Sequence, residues 1–296
     1  MGYNLKSIRE KFKKQGIFYT EKKLALFLKG FLENQEPLEV YDPTCGNGGL
    51  LSVFNDDVKK YGQEIDKEQL EDAKKRLVNF NGVCGDTLKD PAFLGKKFKT
   101  IVANYPFSIS WEPKEDERFN IGVLPPKSKA DFAFLLHILH YLDEEGEAVV
   151  LNFPGILYRG NREGKIRKWF VENNYIKKIV RVKEKSFVDT KIETVLIVLA
   201  KNKKNTDIEF IDSERSRFVG VEEIKENDYN LSINTYLPVI IERPIYNPLE
   251  LQKQARKNFI LALKSELKID KMVCALENIS HDDFLNDIKK VIMEGV

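Results

Sequence analysis

Asp42-Pro43-Thr44-Cys45-Gly46-Asn47-Gly48-Gly49 is the stretch on which the reading of this chain turns. It follows directly on the apolar run Leu38-Glu39-Val40-Tyr41. A strand that ends in an acid and opens into a glycine-rich loop lets the backbone turn sharply and leaves main-chain amides accessible to a ligand. An open, doubly wound sheet presents a nucleotide-like molecule in this way, at the carboxyl ends of its strands. Twenty-two residues after Asp42, Glu64 closes the next short run, Tyr61-Gly62-Gln63-Glu64, where such a sheet sets an acid against ribose hydroxyls. Asp86 follows the third run, Asn81-Gly82-Val83-Cys84, placed to accept a hydrogen bond from an adenine amino group. A glycine loop alone is common in such folds, but three acids closing three successive strands point to a site.

Outward from that loop, short apolar runs bounded by turn residues alternate with amphipathic stretches, the pattern of a sheet covered by helices. The runs predict seven strands, at Leu38-Tyr41, Tyr61-Glu64, Asn81-Cys84, Thr100-Ala103, Ala148-Asn152, Ile176-Val182 and Thr194-Ala200. Helical spacing occurs at Glu21-Leu32, Lys67-Phe80, Lys129-Leu142 and Gly164-Asn173. The expected fold class is α/β and Rossmann-like: a seven-stranded, mostly parallel sheet with helices on both faces and a C-terminal helical tail. The expected division is an N-terminal arm over residues 1–20, a catalytic domain over 21–213 and an extension over 214–296. Glycine, asparagine and proline interrupt Arg215 to Tyr246, and two helical patterns follow at Pro248-Leu267 and Asp282-Met293.

The chemistry comes from Asn104-Tyr105-Pro106-Phe107, directly after the fourth run. An adenine amino nitrogen is a weak nucleophile because its lone pair is delocalised into the ring. A site that accepts both of its hydrogens draws it toward tetrahedral geometry. The Asn104 side-chain oxygen takes one and the Tyr105 carbonyl the other, with Pro106 fixing the backbone and Phe107 stacking on a base flipped out of a duplex. The cofactor loop lacks the Gly-Lys-Ser/Thr ending of a phosphate-binding loop. Acids suit the positive sulfonium of S-adenosylmethionine better than NAD or ATP. No cysteine stands as a nucleophile, since Cys45 belongs to the loop and Cys84 to a strand.

These two motifs, with Gly16-Ile17-Phe18-Tyr19-Thr20, Gly62-Gln63-Glu64-Ile65, the stretch Pro125 to Phe134 and Pro154 to Gly160, resemble the modification subunits of type I restriction-modification systems, which are N6-adenine DNA methyltransferases. The likeness runs from Gly16 to Asp212. It implies that Tyr19, Thr20, Asp42, Thr44, Gly46, Asn47, Gly48, Glu64, Ile65 and Asp86 bind S-adenosylmethionine, and that Asn104, Tyr105, Pro106 and Phe107 hold the target base. It further implies double-stranded DNA as substrate, a specificity subunit and a restriction subunit as partners, and no metal. The family carries proline where this chain has Tyr105. If the residue contributes only its carbonyl the site works; if its ring enters the pocket the site is slow or silent. Such subunits also carry a long helical domain ahead of the loop, where this sequence has a short arm before Gly16.

Composition agrees with a globular enzyme. Among 296 residues, 42% are apolar, and 48 Lys and Arg stand against 46 acids, so any basic surface must come from placement. Three widely spaced cysteines and the absence of a long apolar run give the expectation of a cytoplasmic protein without a membrane span. The runs Lys96-Lys97-Phe98-Lys99, Lys177-Lys178 with Arg181, Lys183 and Lys185, and Lys201 to Lys204 either track phosphates or form a solvated face. Trp111 is either part of a lid or a buried ring, and His137 and His140 read as core-edge residues rather than metal ligands. Two alternatives stay open: a catalytically weak cofactor-binding scaffold, and a methyltransferase acting on glutamine or RNA adenine.

Overall fold

The computed structural model describes residues 22–182, 193–213, 215–238 and 247–294. Tyr19, Thr20, Lys183 and Lys185 lie outside them. The expected strands are present as β1 (Glu39–Asp42), β2 (Lys59–Glu64), β3 (Phe80–Cys84), β4 (Phe98–Ala103), β5 (Leu142–Asn152), β6 (Ile176–Val182) and β7 (Thr194–Ala200). Two more, β8 (Ile208–Asp212) and β9 (Arg215–Val219), make the sheet nine-stranded rather than seven-stranded, in the order β3-β2-β1-β4-β5-β7-β6-β8-β9. The added strands carry their own signal: Ile208, Phe210 and Asp212 alternate inward along β8, which pairs in parallel with β6 and antiparallel with β9. β7 runs antiparallel between β5 and β6, and the pairings from β3 to β5 are parallel.

The sheet is covered on both faces because its strands are apolar on both. Successive residues of β5 alternate between two cores. Ala148 and Val150 face one, with the helices α3 (Asp131–Tyr141) and α4 (Asn161–Glu172); Val149 and Leu151 face the other, with α1 (Lys22–Lys29) and α2 (Lys67–Arg76). Full burial of one such aliphatic side chain contributes roughly 1.5–3 kcal/mol. The short helices α5 (Val221–Glu226) and α6 (Ile233–Tyr236) add Ile224, Ile233 and Tyr236 to the first core. The residue 213 boundary thus falls inside the β8–β9 hairpin, and the compact unit continues through α6. α2 stops at Arg76, short of the expected Phe80, because Leu77 is extended and Asn79 takes a left-handed turn (φ 56°) into β3.

A second unit follows, with α7 (Pro248–Glu277) and α8 (Asp282–Met293). α7 begins at a proline preceded by an Asn247 cap that accepts from Leu249 N at 3.0 Å, and it runs ten residues beyond the expected Leu267. It stops where Asn278 turns left-handed (φ 54°). No helix among the described residues is long and apolar enough to cross a membrane.

Topology fixes where a ligand goes. From β1 the chain winds outward through β2 to β3, then returns to lay β4 on the other side of β1. The crevice lies beyond the carboxyl ends of β1 and β4, where the order reverses. Tyr41 pairs with Ile101 across these strands, so Asp42 and Asn104 leave the sheet at the same end.

Candidate functional site

Both sequence motifs open onto one cavity of about 910 Å³. Asp42, Thr44, Gly46, Asn47, Glu64, Ile65 and Asp86 line it from the cofactor side, Asn104 and Pro106 from the other. The loop is held by its own backbone. Cys45 N donates to Gln63 O at 2.9 Å, tying the loop to β2, and Gly46 N donates to Glu64 Oε2 at 2.8 Å. Gly46 and Gly48 have φ of 52° and 78°, which glycine adopts without steric cost. Gly48 does not line the cavity; a Cβ there would lie 2.7 Å from Leu77 Cδ1, so its part is the turn and the close packing behind it.

The acids are held in different ways. Asp42 is 2% exposed and accepts from Thr44 N at 3.0 Å. Burial pushes its pKa up to about 7, with the nearby Glu64 charge adding to that and the Thr44 N–H working against it. Burial also raises Glu64, although its two oxygens accept from Gly46 N and from Asp66 N, the latter at 2.9 Å. Asp86 Oδ1 accepts from Leu88 N at 2.9 Å, shaping the turn after β3. Thr44 Oγ1 is buried in the same wall without a hydrogen-bond partner. Clustered carboxylates, with burial holding Asp42 above its ordinary pKa, make a pocket that favours a polar cation. That donor set fits a sulfonium compound bearing ribose and adenine.

Tyr105 settles the question its identity raised. Its ring is 1% exposed and stacks on Phe134 with centroids 4.5 Å apart. The hydroxyl proton is shared between Asn152 Oδ1 and the Asp131 carbonyl, the latter at 3.1 Å. The phenol therefore points into the first core, away from the cavity that Asn104 and Pro106 on either side of it line. Replacing Tyr105 with phenylalanine leaves Asn152 Oδ1 without its donor, and the expected cost is about 1–3 kcal/mol, read as a lower denaturant midpoint at unchanged slope.

Phe107 does not line the cavity either. Its ring sits edge-on to Tyr105 at 6.1 Å and packs on both cores. The aromatic lining comes from Trp111 and Phe134. Trp111 is 8% exposed, its Nε1 donates to Pro126 O at 3.1 Å and its ring meets Phe119 edge-on, so it is a fixed wall.

Sequence reasoning missed Arg118. Its side chain is 2% exposed and does not line the cavity, while the next residue, Phe119, packs on Trp111. It makes a bidentate pair with Asp116 at 2.8 and 2.7 Å, and donates to Thr87 O and Leu88 O, each at 2.8 Å. Both carbonyls belong to the cofactor-side lip, so Arg118 straps one lip of the cavity to the other. The pair holds Asp116 well below the usual carboxylate range. A fifth contact reaches His137 Nδ1 at 2.9 Å. Arginine can only donate, so that nitrogen accepts and Nε2–H points to the Tyr41 hydroxyl at 3.1 Å. Burial keeps His137 neutral, as a core residue needs. Arg118→Lys keeps the charge but loses the fork. The expected result is a loss of roughly 3 kcal/mol and faster amide exchange over residues 86–90, measured by hydrogen exchange.

The N-6 DNA Methylase family model matches residues 3–218, a span that takes in both motifs. The chain belongs to that family. The methylase subunit of the type I restriction enzyme MpnII from Mycoplasma pneumoniae is 36% identical over 205 residues, 59% of this chain and 38% of its own length. That of MjaVII from Methanocaldococcus jannaschii is 26% identical over 331 residues, 90% of this chain and 56% of its own. The solved type I methyltransferase subunit from Streptococcus thermophilus superposes with a TM-score of 0.67 at 30% identity, covering 73% of this chain and 58% of that one. The chain thus spans 38–58% of the length of these relatives.

The basic runs prominent in the sequence are largely paired. Lys96 meets Glu39 at 2.9 Å, Lys177 meets Glu33 and Glu147 at 2.5 and 2.6 Å, and Lys178 meets Glu209 at 2.9 Å. Lys201 meets Glu144 at 3.0 Å, and Arg181 is paired with Glu193. These side chains fasten the sheet's edges and helix ends to one another.

Proposed function

We propose that this chain carries out S-adenosylmethionine-dependent methylation of the N6 amino group of a flipped adenine in double-stranded DNA, as the catalytic part of a type I modification subunit. The observation that carries the reading is the single cavity shared by the Asp42–Gly49 loop and Asn104, with the Tyr105 phenol turned away from it. The cofactor supplies an electrophilic methyl group on a cationic sulfur. Asp42, Thr44, Gly46 and Asn47 hold the charged end, while Glu64 accepts from the ribose hydroxyls and Ile65 and Asp86 take the adenine. Asn104 and the Tyr105 carbonyl accept the two hydrogens of the target amine, and Pro106 fixes that carbonyl's direction. The product amine passes its proton to water, so no strong base is required.

Tyr19 and Thr20 complete the methionine end in this reading, and Trp111, rather than the expected Phe107, supplies the face on which the flipped base stacks. The specificity and restriction subunits are proposed partners. Phe259, exposed on α7, with Leu263 and Leu267 at helical spacing and half-buried, marks the face where a subunit would dock. The scaffold reading rested on a phenol in the pocket, and nothing else favours it. The test is transfer of a radiolabelled methyl group to duplex DNA, RNA or peptide, with and without a specificity subunit. Transfer to adenine in duplex DNA alone is expected; a chain that binds cofactor and stays silent with the subunit present overturns the proposal.

A further inference from the structure

The second unit presents a puzzle in stability. α7 is 30 residues long, yet Cys274 is its one buried residue, and no described residue of α8 is buried. Helical pairs of this size need a core or a staple. The turn between the helices brings one together. Asp270 and Cys274 lie four apart on one face of α7, and His281 stands at the start of α8. The left-handed Asn278 folds the chain back, its N–H and that of Ile279, the latter at 3.1 Å, both donating to Cys274 O. Asp270 Oδ2 is then 3.6 Å from Cys274 Sγ and 2.5 Å from His281 Nδ1, and one ligand atom from each of the three residues lies within 4.8 Å of the others.

We propose that Asp270, Cys274 and His281 form a binding site for a transition-metal cation of the zinc class. One thiolate, one imidazole and one carboxylate are the donors that such a borderline-soft, tetrahedral ion prefers, with water or the nearby Ser280 carbonyl in the fourth position. With metal–sulfur near 2.3 Å and metal–nitrogen or metal–oxygen near 2.0–2.2 Å, the edges of the tetrahedron are about 3.3–3.6 Å. The carboxylate–thiol edge already has that length. The carboxylate–imidazole edge must open by roughly 1 Å, exchanging a hydrogen bond for two metal bonds. Binding releases the thiol proton to solvent and clips the helical hairpin at its turn. The alternative is an ion pair of His281 with Asp270 beside an inert thiol.

Cobalt(II) distinguishes the two, because thiolate coordination gives a charge-transfer band in the near ultraviolet and tetrahedral geometry gives intense visible bands. The full chain is titrated anaerobically with cobalt(II), then with zinc(II). The expected result is both sets of bands saturating at one equivalent and vanishing as zinc displaces cobalt. The bands persist in the Cys45→Ser, Cys84→Ser double variant, where Cys274 is the one thiol left. They are lost in Cys274→Ser, and His281→Ala weakens binding by at least about tenfold. No bands in the full chain, or bands that survive Cys274→Ser, overturn the proposal. Neither readout depends on methyl transfer, so it stands or falls separately from the proposed function.

Discussion

Asn104→Ala is expected to lower the methyl-transfer rate by about 10²–10³-fold, the worth of one preorganised partner to charge that develops in a transition state. The residue follows β4 at the sheet's switch point and lines the cavity, and in the proposed reaction its amide serves the acceptor amine rather than the cofactor. Cofactor affinity, measured by calorimetry, stays within about threefold, because an interaction made in the transition state leaves ground-state binding alone. Asn104→Asp keeps an acceptor oxygen and is expected to retain more activity than alanine, while adding a charge to a wall already rich in carboxylates. Alanine keeping a tenth of the rate or more would remove Asn104 from the chemistry. Loss of cofactor binding together with rate would place it on the cofactor side.

The positions of the cavity-lining residues were legible in the sequence because they depend on local order. Asp42, Glu64 and Asn104 each close or follow a run of buried residues, and strand ends in a parallel sheet converge on one edge whatever the rest of the chain does. Tyr105 was readable only as a fork. Its neighbours in sequence belong to the cavity, whereas the ring's neighbours in space, Phe134, Asp131 and Asn152, come from α3 and β5, and no local pattern announces them. Arg118 was hidden for the same reason: its partners are carbonyls some 30 residues upstream, which carry no side-chain signature. The basic runs left a phosphate track and a solvated face both open. Neither reading names partners, and Lys177 finds Glu33 and Glu147, 144 and 30 positions away. β8 and β9 were legible after the fact, since Ile208 and Phe210 alternate, but their charged flanks weakened the pattern.

The electrostatics of Asp42 lead to the other large effect, in which stability and function move in opposite directions. Its folded pKa of about 7 stands above the ordinary 3.8, so the folded chain holds a proton that the unfolded chain gives up between those values. Stability from this group is fully present below about pH 4 and is lost as pH rises through 7, a cost near 4 kcal/mol at pH 8. Asp42→Asn removes that cost while its side-chain oxygen still accepts from Thr44 N. The variant is expected to melt higher than the parent at pH 8, with the advantage shrinking toward pH 4. In the proposed complex the sulfonium sits near Asp42, and a cation there favours the ionised carboxylate. Cofactor affinity in the parent should therefore weaken by up to about tenfold per unit as pH falls below 7, with protons released on binding in proportion to the protonated fraction. In Asp42→Asn the affinity at pH 8 drops by roughly 100-fold and its pH dependence flattens. Calorimetry in two buffers of different ionisation enthalpy counts those protons. A variant that binds as tightly as the parent, or parent binding that ignores pH between 5.5 and 8, would show that the cavity does not recognise its ligand through positive charge.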